Sequence, residues 1–446
     1  MSASSTFTIV GGGLGGALLA CYLGKAGHEV NLYELRDDMR VAGYTGGRSI
    51  NLAISHRGLA ALERIGLKDE ILRIAVAMHG RMIHSPTGDI AYQPYGRDDS
   101  QCIYSVSRGE LNIALLKAAS RYESVRMHFQ QKCTGVEIET GACSFVHTHN
   151  GETTKTGNGI VLSVDGAFSA VRRSMQKLDR FNFSQQYLEH GYKELFMPAG
   201  PGGAFRMEKH ALHIWPRRSY MMIALPNNDG SYTCTCFWPL EGTPSFAALK
   251  SEVEVNRFFC EHFPDAVPLM PTLTTDYLSN PVGTLVTIRC APWQVGGRVL
   301  LLGDAAHAIV PFYGQGANAA FEDVLVLDEC MDQHRGDWTA AFARFEALRR
   351  ENTNVLADLA IHNFIEMRDH TGSRKFWYKK KAEKWLQKLL PNWYVPLYTM
   401  VSFTRTPYAE AVEKSRHQNR MIAAAAGLIG TALLALILIL AARLLS

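Results

Sequence analysis

The segment TIVGGGLGGALLACYLGKAGHEVNLYEL, Thr8 to Leu35, constrains this chain more than any other. The short apolar run Thr6 to Val10 predicts a strand, a helical pattern follows to about Lys25, and a second strand runs from about Glu29 to Tyr33. Gly11, Gly13 and Gly16 between the first strand and the helix fit G-x-G-x-x-G. Gly11 permits the tight turn, Gly13 lets the backbone approach a pyrophosphate, and Gly16 lets the helix lie close to the strand. Leu14 stands at the helix start, where free N–H groups and the positive dipole end face phosphate oxygens. Glu34 ends the second strand, where a carboxylate hydrogen-bonds ribose hydroxyls and repels a 2′-phosphate. A glycine loop that merely packs a helix on a strand needs no such acid. The four features in register point to an adenine dinucleotide, FAD or NAD.

A second segment chooses between them. In VLLLGDAAHAIVPFYGQGANAAFEDVLVLDE, Val299 to Glu329, an apolar strand ends in Gly303 and Asp304, and a Pro/Gly loop leads into a helix. Ligands of open α/β sheets bind beyond strand ends. Asp304 is placed to accept hydrogen bonds from ribityl hydroxyls. The helix that opens at Gly316, Ala317 and Asn318 offers a positive dipole end to the pyrimidine side of an isoalloxazine. A nicotinamide dehydrogenase has no use for this second piece, so the cofactor expected is FAD. His307 is expected to cap or pack rather than to carry protons.

Composition sets few limits. The 446 residues are 47% hydrophobic, enough for a large core. The 46 basic and 42 acidic residues are too balanced to indicate a nucleic-acid partner. Nine cysteines with no CxxC spacing read as reduced thiols, and no Cys/His cluster has metal-ligand spacing. Cys234 and Cys236 are expected on one strand face. Leu59 to Ala77 and Leu111 to Ala119 read as helical. From about Phe181 to Pro239, apolar and alternating runs separated by PRR and NNDG predict an antiparallel sheet. From about Asp337 to Glu413 the pattern is helical, interrupted at LPNWYVP.

The expected architecture is therefore α/β: a Rossmann-like FAD-binding domain, an inserted antiparallel β-sheet substrate domain, a C-terminal helical region and a single transmembrane helix. The FAD-binding domain takes residues 1–80, 106–178 and 293–335. A substrate-side segment covers 81–105, the β-sheet domain 179–292, a helical cap region 336–418 and the anchor 421–442. The anchor rests on 22 uncharged residues, Met421 to Ala442, roughly 33 Å long as a helix. Lys414, Arg416 and Arg420 precede it and only Arg443 follows. That bias leaves the large domain in the cytosol. The membrane would be the mitochondrial outer membrane in a eukaryote and the inner membrane in a bacterium. The N-terminus shows no signal peptide, and RKFWYKKKAEKW, Arg374 to Trp385, reads as a solvated face or a rest on anionic lipid.

With these segments in hand, the chain resembles the class A flavoprotein aromatic hydroxylases. The likeness rests on the G-x-G-x-x-G unit with Glu34, on VDGAFSAVR at Val164 to Arg172, and on GDAAHAIVPFYGQGANAAFED. GRSINLAIS, RMIHS, PYG, YSVSR, HIWPR, NFIEMR and PLYTMV carry it through nearly all of the chain before the tail. Ser163 and Val164 stand where the family usually has small residues before the DG pair, and Tyr313 varies across the family. The resemblance implies that Glu34 binds the adenosine ribose, that Ala53, Arg108 and Cys133 lie along the cofactor, and that Asp165 lies near the pyrophosphate. It implies Asp304 on the ribityl chain and Gly316, Ala317 and Asn318 at the flavin ring.

It also implies an activity: NADPH reduces FAD, O2 adds to give a C4a-hydroperoxyflavin, and an aromatic ring is hydroxylated, with L-kynurenine as the substrate. No catalytic side chain is required, because the flavin carries the chemistry. Arg81, Tyr95, Asn363 and Tyr398 match the family's positions for the substrate's amino-acid tail, a planar cation with neutral hydrogen bonders. Ile214 and Phe237, with Leu212, Met221, Ile223 and Leu225, are the apolar candidates for its ring. Leu212 and Ile214 share one strand face, Met221, Ile223 and Leu225 share another, and Phe237 follows. The rival readings are a flavin hydroxylase of another ring, such as a quinone precursor, and a non-catalytic membrane flavoprotein.

Overall fold

The computed structural model describes residues 5–42, 51–366 and 393–445, with Leu386, Gln387, Leu389 and Leu390 between them. The Arg374–Trp385 stretch lies outside the described residues. The N-terminal unit forms as its glycine pattern demands: strand Thr6–Val10, helix Leu14–Lys25, strand Glu29–Tyr33. The two strands pair in parallel, Phe7 against Val30 and Ile9 against Leu32, inside a six-stranded sheet. Strands Ile160–Ser163 and Val299–Leu301 follow in order on one side and Val125–His128 on the other, all parallel. Buried on both faces, these strands carry Phe7, Ile9, Leu32, Leu162 and Leu300 at 0% exposure. The strand Val299–Leu301 therefore delivers Gly303 and Asp304 to the same sheet end as Gly11.

A seven-stranded sheet forms the second layer. Strands Gly283–Ala291, Asn182–Met197, Tyr232–Pro239, Tyr220–Pro226 and Ala211–Arg217 run antiparallel in that spatial order. Strand Gly80–His84 then joins Ala211–Arg217 in parallel, and Ile90–Pro94 closes the edge. Its two faces have different partners. Trp215, Met222, Cys234, Cys236 and Trp238 pack on Phe258, Phe259 and Phe263 of the helical segment beyond them. The alternate residues face the dinucleotide-binding side. There Ile214 lies opposite Ile223, and Met221 opposite Phe237. The two strand faces expected to be separate are thus one sheet face, because an antiparallel register aligns them side by side.

The helix expected over Leu59 to Ala77 is broken. Helices His56–Arg64 and Lys68–Leu72 are separated at Gly66, whose φ is +75°, and Val76–Met78 is a strand. Gly66 ends the first helix in the left-handed conformation that glycine adopts without strain. C-terminally, helix Trp338–Ile365 packs along helix Gly316–His334. Helix Leu397–Phe403 precedes a long helix, Tyr408–Leu445. Among the described residues no helix is long and apolar enough to cross a membrane. The expected anchor, 421–442, lies within the long helix, and side chains at several of its positions, among them Leu436 and Ile437, lie outside the described residues.

Candidate functional site

The glycine loop has the shape a dinucleotide requires. Gly11 has φ +103°, and a Cβ there would stand 2.5 Å from the Val164 carbonyl oxygen. A Cβ on Gly16 would meet the Gly11 carbonyl oxygen at 1.9 Å. Before Gly13 nothing lies within 4 Å, so the backbone at the start of helix Leu14–Lys25 faces open space. That is the cradle a pyrophosphate needs, beside free helix N–H groups. Glu34 is buried and already engaged: Oε2 accepts from Gly12 N at 2.6 Å, and Oε1 accepts from Arg36 N and Nε at 3.0 and 2.7 Å. A carboxylate has about four acceptor directions, so capacity remains for a ribose hydroxyl. Cys133 sits on strand Gln131–Val136, which begins where Gln131 N donates to the Glu34 carbonyl. Burial pushes its thiol up to about 12, so it is neutral.

Asp165 is engaged within the protein, beside the Gly11 turn. Its carboxylate accepts from Ser163 Oγ at 2.5 Å and from Ala170 N at 2.7 Å. It holds the turn that touches Gly11 and caps the next helix, and Ser163 is its built-in partner. Asp304 is exposed at the first position of a helical turn, with Gly303 before it at φ +55°. Arg108 is likewise exposed, at the start of helix Arg108–Ala119. His307 is buried, with Nε2 2.5 Å from Asp323 Oδ2.

The loop before helix Gly316–His334 is stapled by Asn318. Its Oδ1 accepts from Ser55 N, and its Nδ2 donates to Ala53 O and Gly314 O, each at 2.8 Å. The side chain is consumed in fixing Ala53 against Gly314. The first-turn N–H groups of Gly316, Ala317 and Asn318 are left as the helix N-terminus. The residues present fit FAD: an open glycine cradle, a buried acid at the second strand end, an exposed acid at the third, and a helix start where a ring would lie.

The substrate candidates divide. Arg81, Tyr95, Asn363 and Tyr398 line one cavity of about 500 Å³. Arg81 lies in strand Gly80–His84, in register with Leu212, so it points to the dinucleotide-binding side. Its guanidinium lies 5.3 Å from the Tyr95 ring and 5.2 Å from the Tyr398 ring. Tyr398 stacks on Tyr95 at 5.5 Å and on Tyr313 at 5.8 Å. Asn363 Nδ2 donates to Phe312 O at 2.6 Å, close to the C-terminal end of helix Trp338–Ile365 rather than in its middle. Arg81 Nε and Tyr95 Oη are buried and have no hydrogen-bond partner. Burial pushes the Tyr95 and Tyr313 hydroxyls well above their ordinary range, so both remain neutral donors.

Ile214 and Phe237 do not line this cavity. They form the adjoining apolar cluster with Phe312 and Phe364, the Phe237 and Phe312 rings 4.9 Å apart. Leu212, Ile223 and Leu225 lie next to Tyr95 in a further cluster that reaches Ala53. The apolar wall therefore runs between the amino-acid candidates and the loop of Asn318. Sequence reasoning missed Glu366, the one carboxylate among the described lining residues, and Arg416 and Asn419 of the long C-terminal helix. Nothing in their local pattern separates them from a solvated helix face. Tyr313, noted only as a variable position, stands at one end of the tyrosine stack, against Tyr398.

Residues 4–331 match the family model described as FAD binding domain. The chain is 50% identical over 408 residues to the kynurenine 3-monooxygenase of Myxococcus xanthus, covering 92% of this chain and 88% of that one. It is 45% identical to the kynurenine 3-monooxygenase of Flavobacterium psychrophilum, covering 92% and 91%. Among solved structures, p-nitrophenol 4-monooxygenase from Pseudomonas putida superposes with a TM-score of 0.68 at 20% identity, over 88% of this chain and 98% of the other. That likeness speaks for the fold. The chain belongs to the FAD-binding monooxygenases and, within them, to the kynurenine 3-monooxygenase family.

Proposed function

We propose that this chain hydroxylates L-kynurenine to 3-hydroxykynurenine, using FAD and consuming NADPH and O2. The observation that carries the reading is the pair of buried donors without partners, Arg81 Nε and Tyr95 Oη, in a cavity beside an apolar wall. An unpartnered buried donor is costly unless a ligand completes it. The substrate's carboxylate supplies the missing acceptor, and Glu366 in the same lining answers its ammonium. The guanidinium lies beside the stacked Tyr95 and Tyr398 rings, within cation–π reach of both, which helps to fix its place. Gly11, Gly13, Leu14, Gly16, Glu34, Ala53, Arg108, Cys133, Asp165, Asp304, Gly316, Ala317 and Asn318 are proposed to hold FAD, directly or by shaping its loops. When bound, FAD supplies the redox chemistry and the activation of O2. The chain's own work is to orient the ring through the apolar wall and to keep water from the site.

The tail belongs to the same proposal. The 22 uncharged residues from Met421 to Ala442, preceded by Lys414, Arg416 and Arg420, support a C-terminal membrane anchor with the catalytic part on the cytosolic side. Flavin bleaching under anaerobic NADPH tests the function: it should accelerate with L-kynurenine and not with a quinone precursor. Acceleration by the quinone precursor alone would transfer the activity to another ring. Bleaching insensitive to both would leave a flavoprotein without this chemistry.

A further inference from the structure

A buried ion network outside the cavity ties the substrate side of the molecule to the cofactor side, and its pivot is Arg57. This residue is 1% exposed and sits at the start of helix His56–Arg64. Its Nη1 donates to Glu322 Oε1 at 2.5 Å, its Nε to the Val401 carbonyl at 3.0 Å, and its Nη2 to the Thr406 carbonyl. The guanidinium also lies 4.0 Å from the Tyr408 ring centre. The acid it pairs with is held from behind: Glu322 Oε2 accepts from Arg349 Nη1 at 2.5 Å, and Arg349 Nε donates to Asp323 Oδ1 at 2.6 Å. Asp323 Oδ2 accepts from Gly303 N at 3.0 Å, next to Asp304. Two arginines and two acids meet in the cluster, with His307 Nε2 2.5 Å from Asp323 Oδ2 as a further partner.

What Arg57 grips is the segment that carries Tyr398. Helix Leu397–Phe403 has only seven residues, and its last carbonyls have no helical partners of their own. Val401 lies three residues after Tyr398, nearly one turn on. A planar fork that serves Val401 and Thr406 at once fixes both ends of the 401–406 connection. An ammonium group lacks that geometry. Arg57 is absent from the cavity lining. We infer that Arg57 is a positioning residue for substrate binding: by clamping the Val401 and Thr406 carbonyls to Glu322 it sets the place of Tyr398 against Tyr95 and Arg81. The inference rests on the kynurenine reading for its substrate, though not for its geometry.

The test is a double-mutant cycle of Arg57→Lys and Tyr398→Phe, with FAD content, turnover and the kynurenine half-saturation of flavin reduction measured in each protein. Arg57→Lys keeps the charge facing Glu322 and is expected to keep FAD. It should raise half-saturation about tenfold with a smaller change in turnover. In the Tyr398→Phe background the same change should cost about twofold or less, because the side chain it positions has lost its hydroxyl. Amide exchange at Thr399–Phe403 should quicken in Arg57→Lys while Gly11–Gly16 stays protected. If Arg57→Lys does not fold, Tyr408→Leu, which removes the ring beneath the guanidinium, should shift half-saturation and exchange in the same direction to a smaller extent. Unchanged half-saturation with a normally saturating parent, or strictly multiplicative effects in the cycle, would overturn the inference. A parent that never saturates with kynurenine removes the substrate reading instead. Exchange at Thr399–Phe403 then decides the clamp alone.

Discussion

Acid should loosen the wall behind Arg81, through a histidine that the fold keeps neutral. His213 is 2% exposed and lies on the face of the seven-stranded sheet away from the cavity. Its Nε2 meets the Glu208 carbonyl at 2.8 Å, so that nitrogen carries the proton. Its Nδ1 faces His84 Nε2 at 2.9 Å, and His84 Nδ1 meets Asp265 Oδ2 at 2.7 Å. Burial, the largest cause, outweighs the Glu208 carbonyl and holds the His213 pKa down to about 4. An unfolded histidine takes its proton near 6.5. Between those values the unfolded chain binds more protons than the folded one, so this contribution is whole above about 6.5 and is lost as pH falls towards 4. At roughly 1.4 kcal/mol per pH unit the full window is worth on the order of 3 kcal/mol. His213→Gln keeps a donor for Glu208 and removes the titration. Urea unfolding followed by tryptophan emission at pH 7 and pH 4.5 should show the parent losing about 2–3 kcal/mol more than the variant. Equal losses, within about 0.5 kcal/mol, would refute the assignment of His213 as a neutral buried group. Because Met82 pairs with His213 and Arg81 with Leu212, the same acidification should weaken substrate binding in the parent more than in the variant.

Asp304→Ala should fold and lose FAD on dialysis, since ribityl hydroxyls would forfeit a charged acceptor worth roughly 1.5–3 kcal/mol; undiminished flavin content would remove Asp304 from the cofactor site. Gly16→Ala should abolish stable FAD binding, because the new Cβ would meet the Gly11 carbonyl oxygen at 1.9 Å; a variant that retains full flavin would mean the loop shifts freely. Deleting the chain from Met421 should release a soluble yellow protein, with Arg416 and Asn419 of the cavity lining retained; sedimentation with membranes would place lipid contacts elsewhere. Extending the deletion back to Tyr408 should also raise kynurenine half-saturation, since those lining residues would be gone.

The cofactor half of the site was legible because each of its demands falls on a short stretch of chain. Close approach needs glycine at Gly11 and Gly16, the ribose needs an acid at a strand end, and all of this lies within one βαβ unit. The apolar face of the second sheet was legible residue by residue from alternation. Its assembly was not, because whether Ile214 faces Ile223 depends on hairpin register. Arg81 was visible only through resemblance: as one arginine before an apolar run it has no local signature, and what marks it is burial beside a stacked pair of tyrosines, one of them, Tyr398, far away in sequence. The network of Arg57, Glu322, Asp323 and Arg349 left one trace, a pair of acids inside the apolar helix AAFEDVLVL, which a reading for buried charge would have flagged. The break at Gly66 was missed because apolar periodicity continues across it.

The proposed clamp is tested most directly by stopped-flow flavin reduction in Arg81→Met, with NADPH fixed and L-kynurenine varied. Among the described residues that line the cavity, Arg81 Nε and Tyr95 Oη are buried donors without partners, and the substrate carboxylate is the acceptor assigned to them. Losing a charge-assisted bond of roughly 1.5–3 kcal/mol should raise half-saturation about 10- to 150-fold while the protein keeps its FAD. Arg81→Lys should fall between that variant and the parent, because the charge remains and the planar fork does not. A Met variant that saturates with the parent's half-saturation would contradict the account and take Arg81 out of the substrate site.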